Sequence, residues 1–148
     1  MGRTKQRHWL GATALTIAGT LACHNAALGF GGKPEHSTVE ATVAPGASDA
    51  LTLTFKVVPK TGMKINLEGP WKLELKDAAD LPLAKTTLVR ADLDEGMTGY
   101  TVTTTAKPAK TEGTVNYSLT SFICTTDKTQ CYREVHTGTL PWKAGAKS

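Results

Sequence analysis

Between residues 51 and 57 the chain alternates strictly: Leu51, Leu53, Phe55 and Val57 are apolar, while Thr52, Thr54 and Lys56 are polar. Successive side chains of a β-strand point to opposite faces, so this segment makes one dry and one wet face and cannot make an amphipathic helix. The pattern recurs where Trp71, Leu73 and Leu75 alternate with Lys72, Glu74 and Lys76, and where Val115, Tyr117 and Leu119 alternate with Thr114, Asn116 and Ser118. After residue 37 no stretch repeats apolar residues at helical spacing for three turns. Threonine fills 20 of positions 38–139, and its β-branch favours strand over helix.

Turn residues divide this body into strands. Pro45-Gly46 separates a strand near 38–44 from one near 50–58, and Pro59 followed by Lys60-Thr61-Gly62 ends the second. Gly69-Pro70 precedes the Trp71 strand, and residues 77–82 (DAADLP) read as a loop or a single helical turn. A strand near 84–90, an acidic loop at 92–95 with Gly96, and strands near 98–106, 113–123 and 131–140 follow, with Lys107-Pro108-Ala109-Lys110 as a connection. Seven or eight strands in about 105 residues predict an all-β, immunoglobulin-like antiparallel β-sandwich over residues 38–142, with a small closed barrel as the alternative. Leu53, Phe55, Val57, Trp71, Leu73, Leu75, Val102, Val115, Tyr117 and Leu119 are the expected core.

The N-terminus is of another kind. Arg3, Lys5 and Arg7 lie in a polar start, and residues 10–22 (LGATALTIAGTLA) carry no charge. That run is too short for a comfortable membrane span, and with its basic start it reads as a bacterial secretory signal over residues 1–22. Export to the periplasm or cell surface is the expectation. Thr20-Leu21-Ala22-Cys23 resembles a lipoprotein box, which would acylate Cys23 and give a membrane contact; cleavage near Ala26 or Ala27 is the ordinary alternative. Residues 23–37 read as a flexible tether that leaves His24 and His36 in solvent, and residues 143–148 as a C-terminal tail.

Charge excludes one class of partner. The net charge is +4, but beyond residue 22 only 14 Lys and Arg face 13 Asp and Glu, and they alternate, as in Lys72–Asp77. Nucleic-acid binding needs clustered positive charge and stacking aromatics, so no nucleic-acid partner is expected. Chemical motifs are sparse. There is no G-x-S-x-G, H-E-x-x-H or phosphate-binding glycine loop. Ser118, Ser121 and His136 have no spacing that implies a triad. Asp92, Asp94 and Glu95 lack the spacing of a calcium loop, Met63 and Met97 are isolated, and Asn116-Tyr117-Ser118, formally a glycosylation acceptor, falls inside a strand. No cofactor and no metal are expected.

Cys124 and Cys131 remain as the strongest feature. They bracket Thr-Thr-Asp-Lys-Thr-Gln between two strands, so both sulfurs lie at one hairpin mouth. An exported domain predicts a disulfide there. Closing so short a loop stabilises by roughly 2–3 kcal/mol on the chain-entropy argument. The pair reads as a structural clasp in a non-enzymatic, protein-binding module. The alternative is a thiol–disulfide oxidoreductase in which Cys124 and Cys131 exchange with a partner thiol; Cys131 is then the sulfur attacked, with Arg133 two residues on along the same face.

Residues 113–142 (GTVNYSLTSFICTTDKTQCYREVHTGTLPW) resemble the C-terminal hairpin of the N-terminal-domain-like family of periplasmic disulfide reductases, the DsbD-like family. Cys124, Cys131-Tyr132 and Leu140-Pro141 carry the likeness. Val58-Pro59-Lys60-Thr61-Gly62-Met63-Lys64-Ile65-Asn66 also resembles a family turn, with Met63 and Lys64 where an aromatic and a His are usual. The resemblance implies an immunoglobulin-like periplasmic fold, a loop capping the disulfide (Asp92–Met97 being the candidate, with Tyr100 close by), and as partner an envelope protein or a periplasmic thioredoxin-like protein.

Overall fold

Burial follows the alternation. In the computed structural model, which describes residues 34–144 apart from Met97, Thr105 and Ala106, β2 (Leu51–Pro59) turns Leu51, Leu53, Phe55 and Val57 fully inward. It pairs antiparallel with β1 (Ser37–Pro45) on one side and with β6 (Gly99–Thr103) on the other, placing Tyr100 beside Phe55 and Val102 beside Leu53. The expected leader, Cys23, His24, Met97 and residues 145–148 lie outside the described residues.

The second sheet is organised by β7 (Glu112–Thr125), whose 14 residues serve three partners. β8 (Cys131–Lys143) lies along one edge from Cys124↔Cys131 to Glu112↔Lys143. On the other edge β4 (Lys72–Lys76) pairs with residues 116–120 and β3 (Met63–Ile65) with residues 123–125. β5 (Thr87–Val89) completes the sheet beside β4. The orders β1-β2-β6 and β5-β4-β7-β8 are the strand orders of an immunoglobulin-like sandwich, in which the two inner faces interdigitate.

Nine of the ten expected core residues are buried, Trp71 among them, just ahead of β4. Tyr117 differs: it is half-buried, because its ring reaches across to edge strand β8 and lies over Gly138, where an added Cβ would come within 2.7 Å of the phenol oxygen. Phe55 and Tyr117 meet across the sandwich with ring centroids 5.2 Å apart.

Two elements depart from the expectation. β3 continues the chain where only a turn was expected. The strand expected near 84–90 shortens to Thr87–Val89, because a 3-10 turn at Arg90–Asp92 follows at once and Asp92 Oδ2 accepts the Val89 N–H at 3.0 Å. Phe122, on the outer face of β7, is covered by the loop before Trp71; a Cβ on Gly69 would lie 2.3 Å from its ring.

Candidate functional site

Ladder parity places the two cysteines. Thr125 N–H donates to the Gln130 carbonyl at 2.9 Å, and at the far end Ala144 N–H donates to the Thr111 carbonyl at 2.7 Å. In an antiparallel ladder hydrogen-bonded and non-hydrogen-bonded pairs alternate, so Cys124↔Cys131 is a non-hydrogen-bonded pair, the kind with the closest Cα atoms. The Cα atoms are 4.0 Å apart and the sulfurs form a disulfide.

The loop beyond is ordered by its own side chains. Lys128 takes the left-handed conformation (φ 62°) and its N–H donates to the Thr125 carbonyl at 2.9 Å. The Asp127 carboxylate accepts from the Thr125 hydroxyl at 2.5 Å, the Thr129 N–H at 3.1 Å and the Thr129 hydroxyl at 2.9 Å. These bonds, the Thr125 hydroxyl foremost, hold its pKa below the ordinary value. Thr126 donates its N–H (3.1 Å) and its hydroxyl (2.7 Å) to the Gly62 carbonyl, and Lys64 Nζ donates to the Thr126 carbonyl at 2.6 Å, fixing the hairpin tip to the β2–β3 turn.

The disulfide is asymmetric: Cys124 is 4 % exposed, whereas Cys131 is open to solvent. Lys64 stands directly opposite Cys124 on β3, hence on the same outer face. Arg133 shares that face but extends towards Thr120 Oγ1 at 3.4 Å. The acidic loop is tied locally: Asp92 bonds Lys85 and Val89, Asp94 pairs through its backbone with Gly99, and Glu95 accepts from Arg90 at 2.6 Å. Tyr100 is buried with its hydroxyl unpartnered among the described residues, and burial pushes its pKa far up. Met63 packs on the edge of the core. Among the described residues no three His, Cys, Asp or Glu side chains converge as metal ligands.

A second cluster escaped the sequence reading. Leu140 and Trp142 face inward from β8, so period two also turns Tyr132, Glu134 and His136 inward. Glu134 is 6 % exposed and receives the incoming chain: its Oε1 accepts from Glu35 N–H (2.8 Å), His36 N–H (2.7 Å) and His36 Nδ1 (3.0 Å), and its Oε2 from the Ser37 hydroxyl. The His36 ring stacks on Tyr132 at 3.8 Å, so it is not idle in solvent. Burial works to raise the Glu134 pKa, but the bonds from Ser37, His36 and Glu35 outweigh it and the net shift is downward. Burial lowers the pKa of His136 against the opposing pull of Glu134.

The cluster contains Ser, His and Glu, yet their order is not that of a triad. A triad carboxylate holds Nδ1 of the imidazole while Nε2 faces the serine. Here Glu134 holds the serine itself, and Ser37 Oγ and Glu134 Oε2 both face His136 Nε2, at 3.0 and 3.7 Å. Ser37 has one proton and gives it to the carboxylate, so His136 Nε2–H donates to Ser37 Oγ. With Ser37 only 2 % exposed, this is a buried brace. Of the other serines considered from sequence, Ser121 is buried opposite Glu134 with its hydroxyl unpartnered among the described residues, and Ser118 lies opposite Thr137 on the outer face. Comparison with protein-family models, curated proteins and solved structures finds no match to this chain.

Proposed function

We propose that this protein is an exported, non-enzymatic β-sandwich module that binds another protein, with Cys124–Cys131 as a structural clasp. The observation that carries the reading is the position of the disulfide: it closes a hairpin tip that Asp127, Thr126 and Lys64 already hold in register. Such a bond fixes a surface without needing to turn over. The basic leader and apolar run at residues 1–22 support export, and acylation of Cys23 supplies an anchor in the lipoprotein version. Intact mass from the native host tests this: a retained Met1 rejects cleavage, and an acylated Cys23 start supports the anchor.

Redox titration with thiol counting tests the clasp. A midpoint below about −300 mV fits a structural bond. A midpoint above about −250 mV, with a mixed disulfide trapped by Cys124→Ser, rejects it. The relay reading is favoured by one feature, the open Cys131 beside the buried Cys124. In it, a thiolate of a partner dithiol attacks Cys131 Sγ and Cys124 leaves as thiolate opposite Lys64. The partner's second thiol then attacks the mixed disulfide, so the partner is oxidised and both cysteines are reduced.

A further inference from the structure

The sandwich has two long edge strands, and they are finished differently. On β8, parity directs the backbone groups of odd residues outward, and one of these is Pro141, which has no N–H. The start of that strand is also braced by Glu35–Ser37 through Glu134. The outer edge of β6 is partly occupied by the Asp94↔Gly99 and Leu83↔Thr104 bridges. Among the described residues no strand or isolated bridge pairs with the outer edge of β1.

Parity can be read for β1 as well. Gly46 N–H donates to the Ala50 carbonyl at 2.8 Å and Lys60 N–H to the His36 carbonyl at 2.9 Å, so even residues of β1 make the ladder with β2. The N–H and C=O groups of Val39, Ala41 and Val43 therefore point away from β2, and no hydrogen bond occupies them among the described residues. The same three side chains face the core but are only half-buried, whereas their neighbours Leu53, Phe55 and Val57 on β2 are fully buried. The edge thus offers free backbone groups and an incompletely covered apolar row at one place.

We propose that this edge pairs with the same edge of a second copy, antiparallel, about a two-fold axis through Ala41. The sequence suits that register. Val39 meets Val43 of the partner copy, Ala41 meets its own counterpart, and all three are hydrogen-bonding positions on both sides. On the outer face Glu40 meets Thr42 of the other copy, and each Glu40 has Lys56 as its cross-strand neighbour at home, so no like charges face each other. Pro45, the residue that cannot donate, falls at the end of the paired stretch. The two three-stranded sheets become one of six strands. This pairing stands independently of the binding and relay readings.

Sedimentation of the purified protein from about 10 µM to about 1 mM tests it, a range suited to an interface below about 1,000 Å². A monomer–dimer equilibrium is expected. Ala41→Pro removes an N–H that points away from β2, so the monomer fold stays and dimerisation weakens by about tenfold or more. Amide exchange on the unmodified protein gives a reading that survives even if this variant fails to fold: the Val39, Ala41 and Val43 amides slow with concentration, while those of Glu40 and Thr42 are protected throughout. A monomer at every concentration overturns the proposal. So does a dimer that a folded Ala41→Pro leaves unchanged, or one in which the odd amides stay fast.

Discussion

Replacing Glu134 by Ala removes the acceptor for four donors at once. Hydrogen bonds to a charged group contribute about 1.5–3 kcal/mol each, but not all four are lost in full. Glu35 is exposed and His36 half-buried, so water can replace much of what Oε1 gave them. Ser37 is 2 % exposed and is left with His136 Nε2 as its one partner among the described residues, so its hydroxyl bears part of a desolvation penalty of about 1–3 kcal/mol. Relief from burying a carboxylate offsets part of the total. The expected loss is about 3 kcal/mol for Glu134→Ala and about 1 kcal/mol for Glu134→Gln, which keeps an acceptor. Exposed Glu40→Ala serves as the control, within about 0.5 kcal/mol of the parent. Urea unfolding with an unchanged slope is the assay.

The same cluster sets a pH dependence. Below the ordinary His value of 6.5 the unfolded chain takes up a proton that buried His136 resists, so stability falls with acid from there down to the lowered native pKa. Below the ordinary Glu value of 4.5 the unfolded carboxyl protonates before Glu134 does, and its contribution is lost as pH falls through the native value. Glu134→Ala keeps the first loss and abolishes the second. If Glu134→Ala matches the Glu40→Ala control, or if its stability falls below pH 4.5 as steeply as the parent's, the reasoning fails.

Removing both cysteines, as Cys124→Ser with Cys131→Ser, should lower stability by about 2–3 kcal/mol while leaving the far-UV spectrum of a β protein, read by circular dichroism and urea titration. Gly138→Ala forces a Cβ into the Tyr117 ring and should destabilise by about 2 kcal/mol, with most of the loss recovered in a Tyr117→Leu background; a strictly additive double-mutant cycle would contradict the contact. Ser121→Ala removes a buried hydroxyl without a partner and should be neutral or stabilising by up to about 1 kcal/mol, as thermal unfolding reports.

The sandwich was legible because its strands are buried on one face, so that period two writes the fold into the sequence at Leu51–Val57 and Trp71–Leu75. β3 was not, since Met63-Lys64-Ile65 is too short to display a period and owes its strand conformation to β7. Tyr117 fits the pattern but not the burial, because the width of the sandwich at Gly138 is a tertiary quantity. The disulfide followed from a hairpin with one Cys on each arm. The Glu134 brace was missed for a different reason. Its ligands are backbone N–H groups and side chains nearly a hundred residues away, and Glu134 and His136 read as polar decoration near a cysteine. The register of Leu140 and Trp142, carried back along β8, would have placed both inside.

The geometry of the chain's path has a mechanical consequence. The described chain starts at Pro34 beside the disulfide end of β8 and ends at Ala144, beyond the other end of that 13-residue strand, roughly 40 Å away. Tension between these points draws β1 lengthwise past β2 and β8 lengthwise past β7, so the rungs of each ladder are strained together and not one after another. Sliding of β8 is further opposed by a covalent bond at its far end, Cys124–Cys131. Among the described residues the β1–β2 ladder has no such bond, and Glu134 grips residues 35–37 at its start. Under force β1 should yield first, at a rate governed by its unfolding barrier, and reduction of the disulfide should leave that first event unchanged while making the release of β8 easier.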